Sequence, residues 1–176
     1  HEIASQKESV FRRHQPDFTI AFINQAFFFI AVALTWRLAR RLLDARIALL
    51  TALALIGCDL LWQFSTSGLP TMLALVLFIA LTSVLYEIDA GGRREPPLGS
   101  VPILLLAITA GLLCAGLLLT RYALGVLILP VLVFLATSIQ GRRILLPALA
   151  AVTFVAVISP WLVRNWQVCG NPFGIA

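Results

Sequence analysis

Long apolar runs separated by short polar stretches make up most of this chain. Six runs come close to the roughly 20 residues that an α-helix needs to cross a bilayer. Breaker-rich stretches lie between several of them: STSGLP after the second, DAGGRREPPLG after the third and QGRR after the fifth. The pattern predicts an all-α polytopic membrane protein with about six transmembrane helices, at residues 18–36, 47–64, 69–86, 101–119, 123–140 and 144–163.

The arginines between these runs predict the orientation of the chain. One set of loops carries eight of them, namely Arg37, Arg40, Arg41, Arg46, Arg93, Arg94, Arg142 and Arg143. The other side has Arg121 between runs and Arg164 after the last one. The segment before the first run adds Lys7, Arg12 and Arg13, which count for little if it is the tail of a long outer loop. Because basic loops stay in the cytoplasm, we expect the first set to be cytoplasmic. Residues 1–17 would then end an outer loop, 18–164 would form the six-helix region, and 165–176 would begin another outer loop.

Composition supports a bilayer environment and narrows the classes of function. Of 176 residues, 60% are hydrophobic and 12% charged, whereas soluble domains carry about a quarter charged residues. The net charge of +5 comes mostly from arginines between apolar runs, so it does not indicate a nucleic-acid partner. The three cysteines show no CxxC spacing, and we predict neither a metal site nor a disulfide. We expect a piece of a longer multi-pass membrane protein.

A row of small residues in the fourth run predicts close helix packing. Ala107, Gly111 and Ala115 are spaced four apart, so they lie on one helix face. Small residues at this spacing let a second helix approach closely in a membrane. We therefore expect a helix partner along this face.

Asp59 is an acid inside the second apolar run, about 7–8 Å below the outer end of that helix at 1.5 Å per residue. Acidic residues within membrane helices normally face a bundle interior, a wet cavity or a cationic partner, and they mark candidate functional sites. A structural ion pair or a hydrogen bond to a nearby hydroxyl explains Asp59 equally well. Both interpretations stay open.

Two arginines lie on the outer side, where the topology rule disfavours them. Arg121 precedes Tyr122 in TRY, and Arg164 precedes Asn165 between two tryptophans. Each arginine alone is explained as an interfacial anchor beside aromatic residues. Together, two guanidiniums at neighbouring depths would suit a lipid-linked phosphate, because the planar fork of donors matches phosphate oxygens.

Four stretches resemble the polytopic glycosyltransferases of the GT-C superfamily, of the family 39 type, which includes bacterial relatives of protein mannosyltransferases and aminoarabinose transferases. They are ALTWRLARRLLDARIALLTALAL, FSTSGLPTMLALVLF, AGLLCAGLLLTRYALGVLILPVLVFL and ISPWLVRNWQVCGNPFG. The last two are the specific matches, to the family's LtRy segment and its PW-iRNy-vfGnP exit. The resemblance spans residues 22 to 174. It departs from the family where Pro70-Thr71 replaces the Glu-Pro that many relatives carry after SGL.

The resemblance implies transfer of a sugar from a polyprenyl-phosphate carrier to a lipid, glycan or protein acceptor on the outer face. Arg121, Tyr122, Arg164 and Asn165 would help to hold the donor phosphate. The family's catalytic acid lies in an outer loop that we expect upstream of this chain, so the fragment alone should be inactive. Asp17 is the one candidate for that acid within it. No cofactor is implied, and a divalent metal requirement is left open.

Two other functional classes fit part of the pattern. Asp59, Arg121 and Arg164 would line an anion path in a transporter or flippase, or serve as anchors in a structural membrane subunit. Transporters tend to have inverted repeats and charges near the midplane, whereas these charges cluster at one face. We therefore expect the transferase.

Overall fold

The structure is a computed structural model that describes residues 15–93, 99–139 and 142–171. Every regular element in these ranges is helical, which confirms the predicted all-α class. The α-helices are α1 (Gln15–Leu42), α2 (Ala45–Ile56), α3 (Asp59–Thr66), α4 (Thr71–Arg93), α5 (Ser100–Thr120), α6 (Ile128–Ser138) and α7 (Leu145–Cys169). A 3₁₀ helix, Tyr122–Leu127, joins α5 to α6.

Four of these helices are long and apolar enough to cross a bilayer: α1 from Phe18, α4, α5 and α7. In addition, α2 and α3 form a pair bent by 56°, which makes a fifth span if the pair is taken as one. The expected span at 123–140 is instead a shorter apolar helix, Tyr122–Ser138. The described part of the chain is therefore a multi-pass membrane protein with four long spans, one broken span and one short apolar helix.

The chain forms two compact units, an N-terminal unit up to Val76 and a C-terminal unit from Leu77. In the N-terminal unit, α1 packs against both α2 and α3. Its core is a cluster of buried apolar side chains, with partly buried aromatic and aliphatic side chains around it. The cluster consists of Phe28, Val32, Ala52 and Met72.

The bend between α2 and α3 occurs at Gly57 and Cys58, the two residues that interrupt the helix between Ile56 and Asp59. A break inside a membrane leaves backbone carbonyls that need new donors. The indole Nε1 of Trp62 donates to the carbonyl of Ile56 at 2.6 Å and supplies one. The Trp62 ring also lies 5.0 Å from that of Phe28, so the bent pair is attached to α1 at the break.

In the C-terminal unit, α5 and α7 form the most extensive helix pair. Ala107, Gly111 and Ala115 are all buried at this contact region of α5. A Cβ added to Gly111 would meet the backbone carbonyl oxygen of Ala150 on α7 closer than real Cβ contacts occur. The helices thus approach until backbone meets backbone, and the predicted helix partner of the small row is confirmed as α7.

Three prolines lie in α6 and α7. Pro130 and Pro147 lie in the first turns of α6 and α7, where a missing N–H breaks no helical bond. Pro160 lies inside α7, where it cannot donate to the carbonyl of Ala156. The hydroxyl of Ser159 donates to that carbonyl at 3.1 Å. A neighbouring side chain therefore replaces the bond that the proline removes, as is common in membrane helices.

Candidate functional site

The segment that carries Arg121 and Tyr122 is a sharp turn between two helices. Arg121 has extended backbone angles, with φ −149° and ψ 121°. Its N–H donates to the carbonyl of Leu117 at 3.0 Å, and its own carbonyl accepts from Leu124 at 2.9 Å. The backbone of Arg121 thus ends α5 and begins the 3₁₀ helix, so its two hydrogen bonds fix the backbone of Arg121 between these helices.

Gly125 holds the 3₁₀ helix close to the end of α5. It is buried, and a Cβ added there would lie 2.6 Å from Cδ1 of Leu118. A side chain at this position would push the 3₁₀ helix away from α5 unless Leu118 moved aside. The glycine in RYALG therefore allows the compact turn that exposes Arg121 and Tyr122.

The ring of Tyr122 contacts α7 through Trp161, with ring centroids 5.3 Å apart and planes inclined by 43°. Arg164 follows Trp161 by three residues, so both lie on one side of the helix. Asn165 comes next and is half-buried, whereas the Arg121, Tyr122 and Arg164 side chains are exposed. The ring pair therefore brings the segment of Arg121 alongside the turn of α7 that carries Arg164.

This arrangement offers hydrogen-bond donors suited to an anion near the ends of two helices. Arginine offers five N–H donors in a fixed plane and keeps its charge at all working pH values. The Tyr122 hydroxyl and the Asn165 amide add neutral donors of the kind that phosphate oxygens accept. The convergence of both guanidiniums on one shared pocket stays a prediction.

Asp59 is the first residue of α3, directly after the break in the bent pair. Its side chain is exposed, and its Oδ2 accepts a hydrogen bond from Nε2 of Gln63 at 2.7 Å. A carboxylate in the first turn is stabilised by the N-terminal end of the helix dipole. The acid is therefore partnered within its own helix, and it sits where the span changes direction.

Asn24 is a polar residue of this region that the sequence interpretation missed. It is buried in α1, with only 6% of its surface exposed. Its Nδ2 donates to the carbonyls of Ser67 and Leu69, at 2.6 and 3.3 Å, in the SGLP stretch after α3. One amide thus fixes the loop that joins α3 to α4. An amide inside the apolar run FINQAFFF was the available signal, but its partners lie more than 40 residues away.

The remaining candidate, Asp17, lies near the start of α1, and its side chain is outside the described residues. In the ranges that the structure describes, no group of three or more His, Cys, Asp or Glu side chains could hold a metal ion. The polar side chains near the turn that follows α5 are the guanidiniums of Arg121 and Arg164, the phenol of Tyr122 and the amide of Asn165.

Comparison with known proteins identifies the family. The family model described as Dolichyl-phosphate-mannose-protein mannosyltransferase matches residues 9–164. No curated protein and no solved structure matches the chain. The matched range includes α1 to α6 and most of α7, together with the TRY turn and the tryptophan-bracketed Arg164. The resemblance to membrane glycosyltransferases is thus confirmed, and the chain belongs to the dolichyl-phosphate-mannose-protein mannosyltransferase family.

Proposed function

We propose that this chain is part of an integral membrane glycosyltransferase that takes a sugar from a polyprenyl-phosphate carrier. The acceptor, a lipid, glycan or protein, would be modified on the outer face of a bacterial inner membrane. The observation that carries the proposal is the family match over residues 9–164. The family name makes dolichyl-phosphate-mannose the first donor chemistry to test.

In this proposal, the donor phosphate is held by the turn at residues 120–122 (the TRY turn) and by the turn of α7 that carries Arg164 and Asn165. These two segments together form the proposed phosphate seat. When the bond between the sugar and the phosphate oxygen breaks, negative charge accumulates on the departing carrier phosphate. Cationic donors already in position stabilise that charge without reorganisation. Arg121 is the main group, because its backbone is fixed by hydrogen bonds on both sides and it directly precedes Tyr122, whose ring contacts Trp161 of α7. Arg164 and Asn165 would complete the seat from α7.

A carboxylate must take the proton of the acceptor as the sugar is transferred. Asp17 is the candidate for this base within the chain, and an acid upstream of it is the alternative. The position of Arg121 and Arg164 on the outer side follows from the predicted topology, with residues 1–17 and 165–176 in outer loops.

The test of this proposal substitutes Arg121 in the full-length protein. Transfer from polyprenyl-phosphate-mannose is measured in membrane vesicles, and binding of polyprenyl phosphate is measured separately, because that carrier is common to all donor sugars. Arg121→Ala should lower transfer by about 100-fold or more, as loss of a transition-state donor does. Arg121→Lys should recover only part, because a point charge cannot grip two oxygens.

Arg143→Ala is the matched control, since it removes the same charge from a loop on the predicted cytoplasmic side. It should leave transfer and carrier binding unchanged. If Arg121→Ala transferred sugar at the wild-type rate, Arg121 would be an interfacial anchor and the phosphate seat would lie elsewhere.

A transporter or flippase remains the second candidate, supported by one observation. The bent pair places Asp59 at the first turn after a break, and broken spans with polar residues are typical of transport sites. Reconstituted vesicles would separate the two functions. Movement of polyprenyl phosphate across the bilayer without sugar transfer would support the transporter, and transfer without movement would support the enzyme.

A further inference from the structure

The last two turns of α1 carry a group of arginines that the proposed transfer reaction does not use. Arg37, Arg40 and Arg41 are spaced three and four residues apart, so they share one side of the helix. Together with Trp36 they line a concavity of about 260 Å³. We propose that this concavity, the α1 cradle, binds the phosphate of an anionic phospholipid at the predicted cytoplasmic surface.

The charge of the surrounding segment favours an anion. Between Trp36 and Arg46 there are four arginines and one acid, Asp44. Asp44 is the residue before α2, and its side chain makes no capping hydrogen bond there. The segment therefore has an excess of positive charge at the point where a membrane helix leaves the bilayer, and each arginine near an anionic surface adds about fivefold in affinity.

The geometry of Trp36 and Arg40 goes beyond an excess of charge. The guanidinium carbon of Arg40 lies 4.9 Å from the centroid of the Trp36 ring. A contact over the ring face uses no N–H donor, so the donors of Arg40 remain available for phosphate oxygens. Tryptophan prefers the headgroup level of the membrane, which sets the depth of the cradle at that of lipid phosphates.

The arginine pair before α7, Arg142 and Arg143, has a different environment. Arg142 donates to the backbone carbonyl and the hydroxyl of Ser100, so its guanidinium is occupied by the protein itself. The concavity around Arg142 and Arg143 is completed by Ile144 and Leu145 and has no aromatic ring. Substitution of Arg143 thus serves as a control, because it removes one exposed positive charge outside the α1 cradle.

Free phosphate and a phospholipid offer the same oxygens, and we commit to the lipid because the cradle combines arginines with a membrane-interface ring. The test is native mass spectrometry of the purified protein titrated with phosphatidylglycerol, with phosphatidylcholine as the zwitterionic reference. Arg37→Gln and Arg40→Gln should each weaken the first phosphatidylglycerol binding step by about fivefold. Arg143→Gln should weaken that step less than either of these substitutions, because Arg143 lies outside the α1 cradle.

Trp36→Leu removes no charge and therefore separates a built site from general attraction. It should weaken phosphatidylglycerol binding by about two- to fivefold, because Arg40 loses the ring that orients it. Equal losses for Arg40→Gln and Arg143→Gln would overturn the proposal, as would unchanged binding in Trp36→Leu. If millimolar inorganic phosphate displaced phosphatidylglycerol from the wild-type protein, the cradle would be a site for soluble anions instead.

Discussion

Substitution of Gly111 by alanine tests the closest helix contact in the structure. The new methyl group would meet the carbonyl oxygen of Ala150, and it would lie 3.0 Å from Cβ of Thr153. Neither group can rotate out of the way, because one is backbone and the other is the branch point of its side chain. The helices α5 and α7 would have to separate, and overpacking of this kind costs about 1–3 kcal/mol.

Gly116→Ala is the matched control in the same helix. Its methyl group would lie 3.4 Å from Cδ1 of Leu77, which is an ordinary contact with the end of a flexible side chain. Both substitutions raise helix propensity by the same amount, about 1 kcal/mol. The difference in stability between the two variants therefore isolates the steric effect at Gly111, and it should be about 1–3 kcal/mol.

The assay is thermal unfolding of the two variants in the same detergent, followed by circular dichroism. For a chain of this size, 1 kcal/mol corresponds to about 2–4 °C in Tm, so Gly111→Ala should melt about 6 °C below Gly116→Ala. If the two variants melted together, or if Gly111→Ala were the more stable, α5 and α7 would not meet by backbone contact and the helix pairing would be wrong.

Two further substitutions test the N-terminal unit by the same melting assay. Asn24→Ala removes the amide and should cost about 1–3 kcal/mol. Asn24→Asp should destabilise the protein more, because a carboxylate would face two carbonyl oxygens. Equal melting temperatures of Asn24→Ala and the wild type would contradict the loop contact. Trp62→Phe keeps the ring but removes the indole donor to the Ile56 carbonyl, so it should cost about 1 kcal/mol. A larger loss in Trp62→Leu than in Trp62→Phe would separate ring packing from the hydrogen bond, and wild-type stability in Trp62→Phe would show that the freed carbonyl needs no donor.

Hydropathy and spacing predicted the helical class and one helix contact correctly, because both depend on local rules. A membrane helix is recognised by the length of its apolar run, and the row of small residues around Gly111 is recognised by its four-residue spacing. The bend at Gly57 and Cys58 escaped this reasoning, since both residues are compatible with an apolar run. The short helix after Arg121 escaped it as well, because hydropathy does not distinguish a 3₁₀ turn from an α-helical one.

The residue types of the candidate site could be predicted from the sequence, but their location in the structure could be predicted only in part. The TRY and RN motifs pointed to an anion seat, but the ring contact between Tyr122 and Trp161 joins residues that are far apart in the chain. Asn24 was missed for the same reason, since a buried amide reveals its importance only when its distant carbonyls are known. Asp59 was recognised as unusual, yet the helix break that surrounds it depends on tertiary packing against α1.

In the proposed function, the backbone contact between α5 and α7 would also restrict where a long isoprenoid tail runs. A hydrocarbon chain is about as thick as an aliphatic side chain, and at Gly111 not even one methyl group fits between the two helices. A carrier whose phosphate rested near Tyr122 could not thread its tail through this seam. The tail would have to descend along the outer flank of one helix, so bulky substitutions on those flanks should shorten the range of carrier lengths that the protein accepts.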